Sequence, residues 1–117
     1  MSAIFRIFKL SVDPENELAY QTIGHQNLEQ SMVTETGTLA MYAGHSIDNP
    51  LHTVVAEVYQ NQAAYETHIA SQHFKDFSQM ANEALTDRQV IELTPQLLLQ
   101  KPETMRLTAD SDALCLL

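Results

Sequence analysis

Four segments of the chain have the alternation or the β-branched composition of strands. These strands are predicted at residues 3–12, 38–47, 52–60 and 88–100. A helix is predicted to begin at Asp13 and Pro14, a capping residue followed by proline at the first helical position, and to end near Val33. A second, continuous helix is predicted after the capping residue Asn61, over residues 62–85.

The order of these elements, β-α-β-β-α-β, is typical of a ferredoxin-like subunit. This is an α+β fold in which an antiparallel sheet carries two helices on one face. Pro95 lies inside the fourth predicted strand and cannot donate a hydrogen bond to a ladder, so this strand should lie at an edge or carry a bulge there. The domain is predicted over residues 1–100, and residues 101–117 form a C-terminal tail whose position the pattern leaves open.

The first three predicted strands are apolar on both faces. In the first strand, one side carries Ile4, Phe8, Leu10 and Val12, and the other carries Ala3, Phe5 and Ile7. Two helices can cover only one face of the sheet, so the other face needs a second cover. A second copy of the chain, packed sheet against sheet, is the simplest one. We therefore expect a homodimer.

Composition narrows the possible partners and the compartment. The chain is 44% hydrophobic and 18% charged, which is typical of a globular domain. Fifteen acidic residues against six basic ones give a net charge of −9, which disfavours nucleic acid and anionic membrane surfaces as partners. No signal peptide or membrane-spanning run is recognisable, so we expect a cytoplasmic protein. The single cysteine, Cys115, has no partner for a disulfide within the chain.

The stretch AYETHIASQHF, residues 64–74, contains two histidines five positions apart. On a continuous helix His73 falls near the middle of the apolar arc, and His68 falls at its edge, about 140° away. Metal sites on helices use spacings of three or four, so this spacing disfavours a metal. A histidine on an apolar face needs a hydrogen-bond partner or a polar cavity. We interpret the pair as pocket lining first, core second and metal site last.

Glu57 raises the same question as the histidines. It shares a strand face with Tyr59, where an unpaired carboxylate would be costly, so it is either paired with Arg6 or Arg88 or lines a polar pocket. Glu35 is interpreted as a residue at a helix end ahead of a turn. The tyrosines are either core aromatics or side chains that hydrogen-bond a ligand. No phosphate loop and no flavin or nicotinamide motif is present, so no cofactor is expected.

Three segments resemble the antibiotic biosynthesis monooxygenase family, in particular its small bacterial quinol monooxygenases. They are ETGTLAMYAGH (35–45), HTVVAEVYQNQAAYETHIASQHFKDF (52–77) and VIELTPQLLLQ (90–100), and the likeness covers about residues 3–100. Its most specific element is a Glu-x-Tyr strand end followed by Ala-x-x-x-His-x-x-Ser-x-His-Phe, which corresponds here to Glu57, Tyr59, Ala64, His68, Ser71, His73 and Phe74. The resemblance implies a dimeric α+β barrel with a pocket between sheet and helices.

Family members with an assigned activity oxidise quinols, anthrones or related phenols with O₂ and without a metal or organic cofactor. The resemblance therefore implies a monooxygenase of this type, with His68, His73 and Glu57 as catalytic residues. The substrate-binding residues would be Tyr42, Tyr59, Tyr65, Ser71, Phe74 and Phe77. Two alternatives stay open: an isomerase or lyase acting on a small carbonyl compound, and a ligand-binding dimer without turnover. Haem degradation fits less well, because the chain has no tryptophan where haem-degrading relatives carry one.

Overall fold

The chain folds into a four-stranded antiparallel sheet with its helices packed on one face. The computed structural model describes residues 2–101, 105–106 and 115–116. The elements are β1 (Ile4–Val12), α1 (Glu17–Thr34), β2 (Thr38–His45), β3 (His52–Tyr59), α2 (Gln62–Ala70), α3 (Gln72–Ala84), β4 (Leu85–Leu93), β5 (Met105–Arg106) and β6 (Cys115–Leu116).

The sheet has the strand order β2-β3-β1-β4, and every pairing in it is antiparallel. The predicted ferredoxin-like topology is therefore confirmed, and β4 is an edge strand as expected. The bounds predicted for that strand were wrong, because it pairs with β1 from Leu85 to Leu93 and ends before Pro95. Because Pro95 follows the last paired residue, its missing N–H removes no hydrogen bond from the sheet.

The first helix begins as the sequence predicts, and its buried face includes polar residues. The Asp13 side chain accepts a hydrogen bond of 3.0 Å from the Glu15 backbone, and a short 3-10 turn, Pro14–Asn16, precedes α1. The buried residues of α1 are Tyr20, Asn27 and Ser31, whereas Leu18 is 76% exposed. Two polar residues thus lie on the inner face of this helix, which lowers its amphipathic signal. Within the described part of the chain, no helix is both long and apolar enough to cross a bilayer.

The predicted second helix is two helices, because the chain breaks at Ser71. This residue has an extended backbone, with φ −72° and ψ 153°. Its hydroxyl donates a hydrogen bond of 2.6 Å to the His68 carbonyl and accepts one of 3.3 Å from the Phe74 backbone N–H. Ser71 therefore ends α2 and caps α3. The angle of 140° expected between His68 and His73 was wrong, since the helical phase starts afresh after the break.

The apolar core and the polar interior lie at opposite ends of the helix-facing side of the sheet. The core contains Leu10, Val12, Tyr20, Ala81 and Ala84, near the end of β1. At the other end of β1, Ile4 pairs with Tyr59 of β3, and Tyr59 is fully buried. The candidate site lies at this second end.

The face of the sheet opposite the helices carries several exposed apolar side chains, and we call it the open face. Its exposed large side chains include Tyr42, Val54, Ile91 and Leu93. The strand registers place Ile91 opposite Ile7 and Val54 opposite Lys9 on this face. The sheet thus has two faces with apolar side chains, as the strand patterns predict.

Only parts of the predicted tail, residues 101–117, belong to the described residues. In these parts β5 and β6 form a two-stranded antiparallel pair, with Met105 opposite Leu116. Residues 102–104, 107–114 and 117 lie outside the described residues. The predicted division into a domain and a tail stays a prediction.

Candidate active site

The carboxylate of Glu35 joins the two histidines that the sequence singles out. His68 Nδ1 lies 3.0 Å from Glu35 Oε1, and His73 Nε2 lies 2.5 Å from Glu35 Oε2. The Thr38 hydroxyl donates a third hydrogen bond, of 2.6 Å, to Oε1. The exposed fractions of the three side chains are 6% for Glu35, 1% for His68 and 19% for His73. We call this group the Glu35–His68–His73 cluster.

Three local features of the backbone bring the cluster together. Glu35 follows the last residue of α1, and its backbone N–H donates to the Ser31 carbonyl at 3.0 Å. Gly37 then turns the chain into β2, where an added Cβ would overlap the Cβ of Ala64 in α2. The break at Ser71 directs both imidazoles toward the same carboxylate, and their ring centres are 6.1 Å apart.

The contacts of His68 identify its tautomer. Its Nδ1 faces the Glu35 carboxylate and the Ser31 hydroxyl oxygen, at 3.2 Å. The Ser31 hydroxyl gives its own hydrogen to the Asn27 carbonyl at 2.7 Å, so it can only accept from His68. The hydrogen of a neutral His68 ring is therefore on Nδ1. Its Nε2 is buried and has no hydrogen-bond partner among the described residues, so it presents a free lone pair.

For both His68 and Glu35, burial and neighbouring groups shift the pKa in opposite directions. Burial lowers the pKa of His68 from its ordinary value, and the nearby Glu35 carboxylate opposes that shift only in part. Burial alone would raise the pKa of Glu35, but the hydrogen bonds from Thr38, His73 and His68, and the positive charge that His68 carries when it is protonated, together lower it. The favoured state is thus an ionised Glu35 beside a neutral His68, which is the state a general base requires.

Aromatic rings surround His68. The ring centre of Phe74 is 5.0 Å away and that of Tyr59 is 5.4 Å away. Tyr65 packs on Tyr59 at 5.4 Å, and Phe77 packs on Phe74 at 6.4 Å. These four of the predicted substrate-binding residues therefore line one continuous aromatic layer that includes the imidazole.

Glu57 lies next to this layer and bonds to a tyrosine rather than to a histidine. Its Oε1 accepts a hydrogen bond of 2.5 Å from the Tyr59 hydroxyl, and it lies opposite Arg6 in the strand register. The Arg6 guanidinium lies 4.1 Å above the ring of Tyr65 and forms its ion pair with Glu92, at 3.2 Å. Burial raises the pKa of Glu57, although the Tyr59 hydroxyl and the charge of Arg6 oppose the shift. The carboxylate that contacts the histidines is Glu35.

Two other predicted substrate-binding residues have different positions. Ser71 uses its hydroxyl for the backbone at the helix break, as described above. Tyr42 is 61% exposed and lies on the open face of the sheet, away from the cluster. Within a single chain, the side chains of Ser71 and Tyr42 therefore do not belong to the aromatic layer.

Two surface grooves adjoin the cluster, one on each side. A groove of about 340 Å³ between α1 and α3 is lined by residues that include Asn27, His73 and Asp76. A second groove, of about 290 Å³, lies between the α1–β2 turn and α2 and is lined in part by Glu35 and Thr67. Neither of these grooves includes His68 in its lining. They therefore differ from the expected pocket, which would be lined by both histidines.

Sequence reasoning missed Glu35 as a site residue. It is 33 positions from His68 and 38 from His73, and no spacing rule connects them. The only signal was indirect: a histidine on an apolar face needs a hydrogen-bond partner, but the sequence does not say which residue supplies it.

Comparison with known proteins agrees with the fold and identifies the family. The model of the family described as "Antibiotic biosynthesis monooxygenase" matches residues 3–80. A search of curated proteins gives no significant match. Many solved structures match, and the three described next are among the most similar in sequence.

A protein from Bacteroides thetaiotaomicron, provisionally named an antibiotic biosynthesis monooxygenase, is 30% identical, with a TM-score of 0.81 over 86% of this chain and 97% of that one. A provisionally named monooxygenase from Lactobacillus acidophilus is 32% identical, with a TM-score of 0.77 over 81% of this chain and 45% of that one. A similarly named protein from Fusobacterium nucleatum is 25% identical, with a TM-score of 0.73 over 80% and 42% of the two chains. This chain thus spans less than half of the last two proteins.

The family model covers more than half of the chain. The superposition with the Bacteroides structure includes 86% of this chain and 97% of that one. The residues of the candidate site up to Phe77 all fall within the matched segment. The chain belongs to the antibiotic biosynthesis monooxygenase family.

Proposed function

We propose that this protein is a cofactor-independent monooxygenase that oxidises a quinol-like or anthrone-like aromatic compound with O₂. The observation that carries the proposal is the buried, unpartnered Nε2 of His68, whose opposite nitrogen is held by an ionised Glu35. A carboxylate that accepts the Nδ1 hydrogen orients the ring and stabilises the imidazolium that forms when Nε2 takes a proton.

The chemistry needs little more than a base and an apolar enclosure. Removal of a proton from a phenol or enol gives an anion that is reducing enough to pass an electron to O₂. For an anthrone, the methylene carbon loses two hydrogens and gains one oxygen atom, and the second oxygen atom leaves with those hydrogens as water. No external reductant is consumed. The aromatic layer around His68 supports this role, because it excludes water from the reactive intermediates.

Substrate entry has a structural requirement. His68 is 1% exposed, so an aromatic substrate can reach Nε2 only if one of the rings packed on the imidazole moves aside. Phe74 is the better candidate of the two neighbours, because it is half-buried whereas Tyr59 is fully buried and bonded to Glu57. Tyr65 and Tyr59 would then flank the bound ring.

We also propose that the protein acts as a homodimer. The open face of the sheet carries the exposed side chains Tyr42, Val54, Ile91 and Leu93, and sheet-to-sheet packing would remove them from water. A chain of about twice this length in two of the structural relatives is compatible with a pair of such units. In such a pair, Tyr42 would belong to the interface rather than to the aromatic layer of its own chain.

The test is O₂ uptake with reduced naphthoquinol and with anthrone, measured against spontaneous autoxidation. A positioned general base contributes about 10²–10⁴-fold, so we expect His68→Gln to lower the enzymatic rate by at least about 100-fold. His25→Gln, on the exposed side of α1, is the matched control and should keep the wild-type rate. A wild-type rate equal to autoxidation across the panel would reject the proposal. Turnover of a carbonyl substrate that persists without O₂ would favour the isomerase alternative instead.

A further inference from the structure

We propose that the Glu35–His68–His73 cluster also binds a first-row divalent cation such as Zn²⁺, and that the bound ion blocks the base. The three ligand atoms, His68 Nδ1, His73 Nε2 and a Glu35 oxygen, lie within 4.8 Å of one another. Two imidazoles and one carboxylate form a donor set that suits zinc and neighbouring metals in proteins. The sequence spacing argued against this only because it assumed an unbroken helix through Ser71.

The neighbouring hydroxyls support an ion at this position. The Ser31 oxygen lies 3.2 Å from His68 Nδ1 and has already given its hydrogen to a backbone carbonyl, so its lone pair faces the cluster. Thr38 donates to Glu35 and would hold the carboxylate in place as a metal ligand. The cluster thus offers three strong donors, a fourth oxygen and an orienting hydrogen bond.

The adjustment that an ion requires is small. Zinc binds imidazole nitrogen and carboxylate oxygen at about 2.0–2.2 Å, so the ligand atoms themselves must stand roughly 3 Å or more apart. The His68 and Glu35 atoms already have a separation of 3.0 Å, the His73 contact of 2.5 Å must widen, and all three ligand atoms lie within 4.8 Å of one another. His73 is the most exposed member of the cluster, and it lies in the first turn of α3, where the side chain has room to move outward.

An entry route is present beside His73. The groove of about 340 Å³ between α1 and α3 includes His73, Asp76 and Asn27 in its lining. Asn27 is 3% exposed, and its side-chain oxygen has no hydrogen-bond partner among the described residues. This oxygen is an acceptor for a water molecule in the groove. The net charge of −9 also raises the local concentration of cations around the chain.

Metal binding has a chemical consequence for His68. The ion binds Nδ1, so the ring hydrogen moves to Nε2, and the lone pair of the proposed base is lost. Binding of the ion should therefore inhibit O₂ uptake. This last step rests on the proposed function, whereas binding of the ion does not.

The experiment measures binding without substrate. Chelator-treated protein is titrated with Zn²⁺ by calorimetry and with Co²⁺ by visible absorption, and imidazole tautomers are followed by NMR. We expect one ion per chain, a Co²⁺ d–d band of low-coordinate geometry, and a shift of the His68 hydrogen from Nδ1 to Nε2. His73→Gln should weaken Zn²⁺ binding at least tenfold, whereas His25→Gln should not change it.

The two proposals fail in different ways. If the wild-type chain gives no Co²⁺ band, or if folded His73→Gln binds Zn²⁺ as tightly as wild type, the metal site is rejected and the monooxygenase proposal stands. Zn²⁺ binding that leaves the His68 tautomer unchanged also rejects the site, because the ion then binds elsewhere. If the protein binds Zn²⁺ as expected but never exceeds autoxidation, the monooxygenase proposal fails alone.

Discussion

The carboxylate of Glu35 is the residue-scale feature on which the whole site depends. It accepts hydrogen bonds from Thr38, His68 and His73 while it is almost fully covered. An ionised acceptor makes stronger hydrogen bonds than a neutral one, and an uncompensated buried charge would be costly. The three donors therefore make the ionised carboxylate tolerable in the interior, and the carboxylate in turn fixes both rings.

Glu57 is the second carboxylate beside the aromatic layer, and the effects on its pKa balance differently. It accepts one hydrogen bond, from Tyr59, and burial raises its pKa in spite of the nearby Arg6. The folded chain thus keeps the Glu57 proton to a higher pH than the unfolded chain does. As pH rises from about 4.5, the unfolded state loses this proton first, so the contribution of Glu57 to stability is complete below that pH and is lost as pH rises through the folded pKa.

Replacement of this carboxyl should therefore change the pH profile of stability. We expect Glu57→Gln to match wild type in acid and to become the more stable protein as pH rises toward neutral, because Gln keeps an acceptor for Tyr59 but carries no charge. Urea denaturation across this pH range measures the free energy of unfolding. Glu83→Gln, on the exposed side of α3, is the control and should give a profile parallel to wild type. A constant difference between Glu57→Gln and wild type at every pH would contradict the argument.

At this scale the sequence led to part of the site. The pattern identified His68 and His73 because a polar ring on an apolar helix face is unusual enough to need an explanation. The pattern left Glu57 either paired with an arginine or lining a pocket, and the family resemblance implied that it was the catalytic carboxylate. Glu35 was missed because its burial arises from the packing of α1, β2 and α2 together, and no local pattern records such a contact.

At the scale of elements, the break at Ser71 and the turn at Gly37 determine the geometry of the site. The periodicity of residues 62–85 predicted one helix, since a wheel assumes that each residue advances by the same angle. A capping serine interrupts that advance, and its two hydrogen bonds replace those that a continuous helix would make at this point. The first three strands were easier to predict, because alternation over eight or nine residues is a local signal.

Gly37 and Gly24 offer a matched test of this packing. An added Cβ at Gly37 would overlap the Cβ of Ala64 and push α2 away from β2, whereas at Gly24 it would make an ordinary contact of 3.5 Å with Phe77. We expect Gly37→Ala to destabilise the fold by about 1–3 kcal/mol. Gly24→Ala should stabilise it by roughly 0.5–1 kcal/mol, because glycine is unfavourable in a helix interior. Urea denaturation measures both, and a Gly37→Ala variant as stable as wild type would show that α2 is not held closely to β2.

At the scale of the whole molecule, the sheet separates two environments. The helix-facing side holds the apolar core at one end and the Glu35–His68–His73 cluster at the other. The opposite side carries exposed apolar side chains, among them Tyr42, Val54 and Ile91. Sequence alternation predicted both faces, because it depends only on which side of a strand each residue occupies. Which surface covers the open face depends on how copies of the chain assemble. Neither the strand pattern nor the structure of a single chain gives this information.

Charged substitutions on the open face should therefore dissociate the proposed dimer into monomers. Val54 and Ile91 are exposed on this face in β3 and β4, so the double variant Val54→Glu and Ile91→Glu would bury like charges between two copies. We expect wild type to be a dimer by light scattering, with a melting temperature that rises with protein concentration, and the double variant to be a monomer without that dependence. Leu18→Glu, on the exposed side of α1, is the control and should stay dimeric. A monomeric wild type, or a double variant that still pairs, would mean that the open face is not the contact between copies.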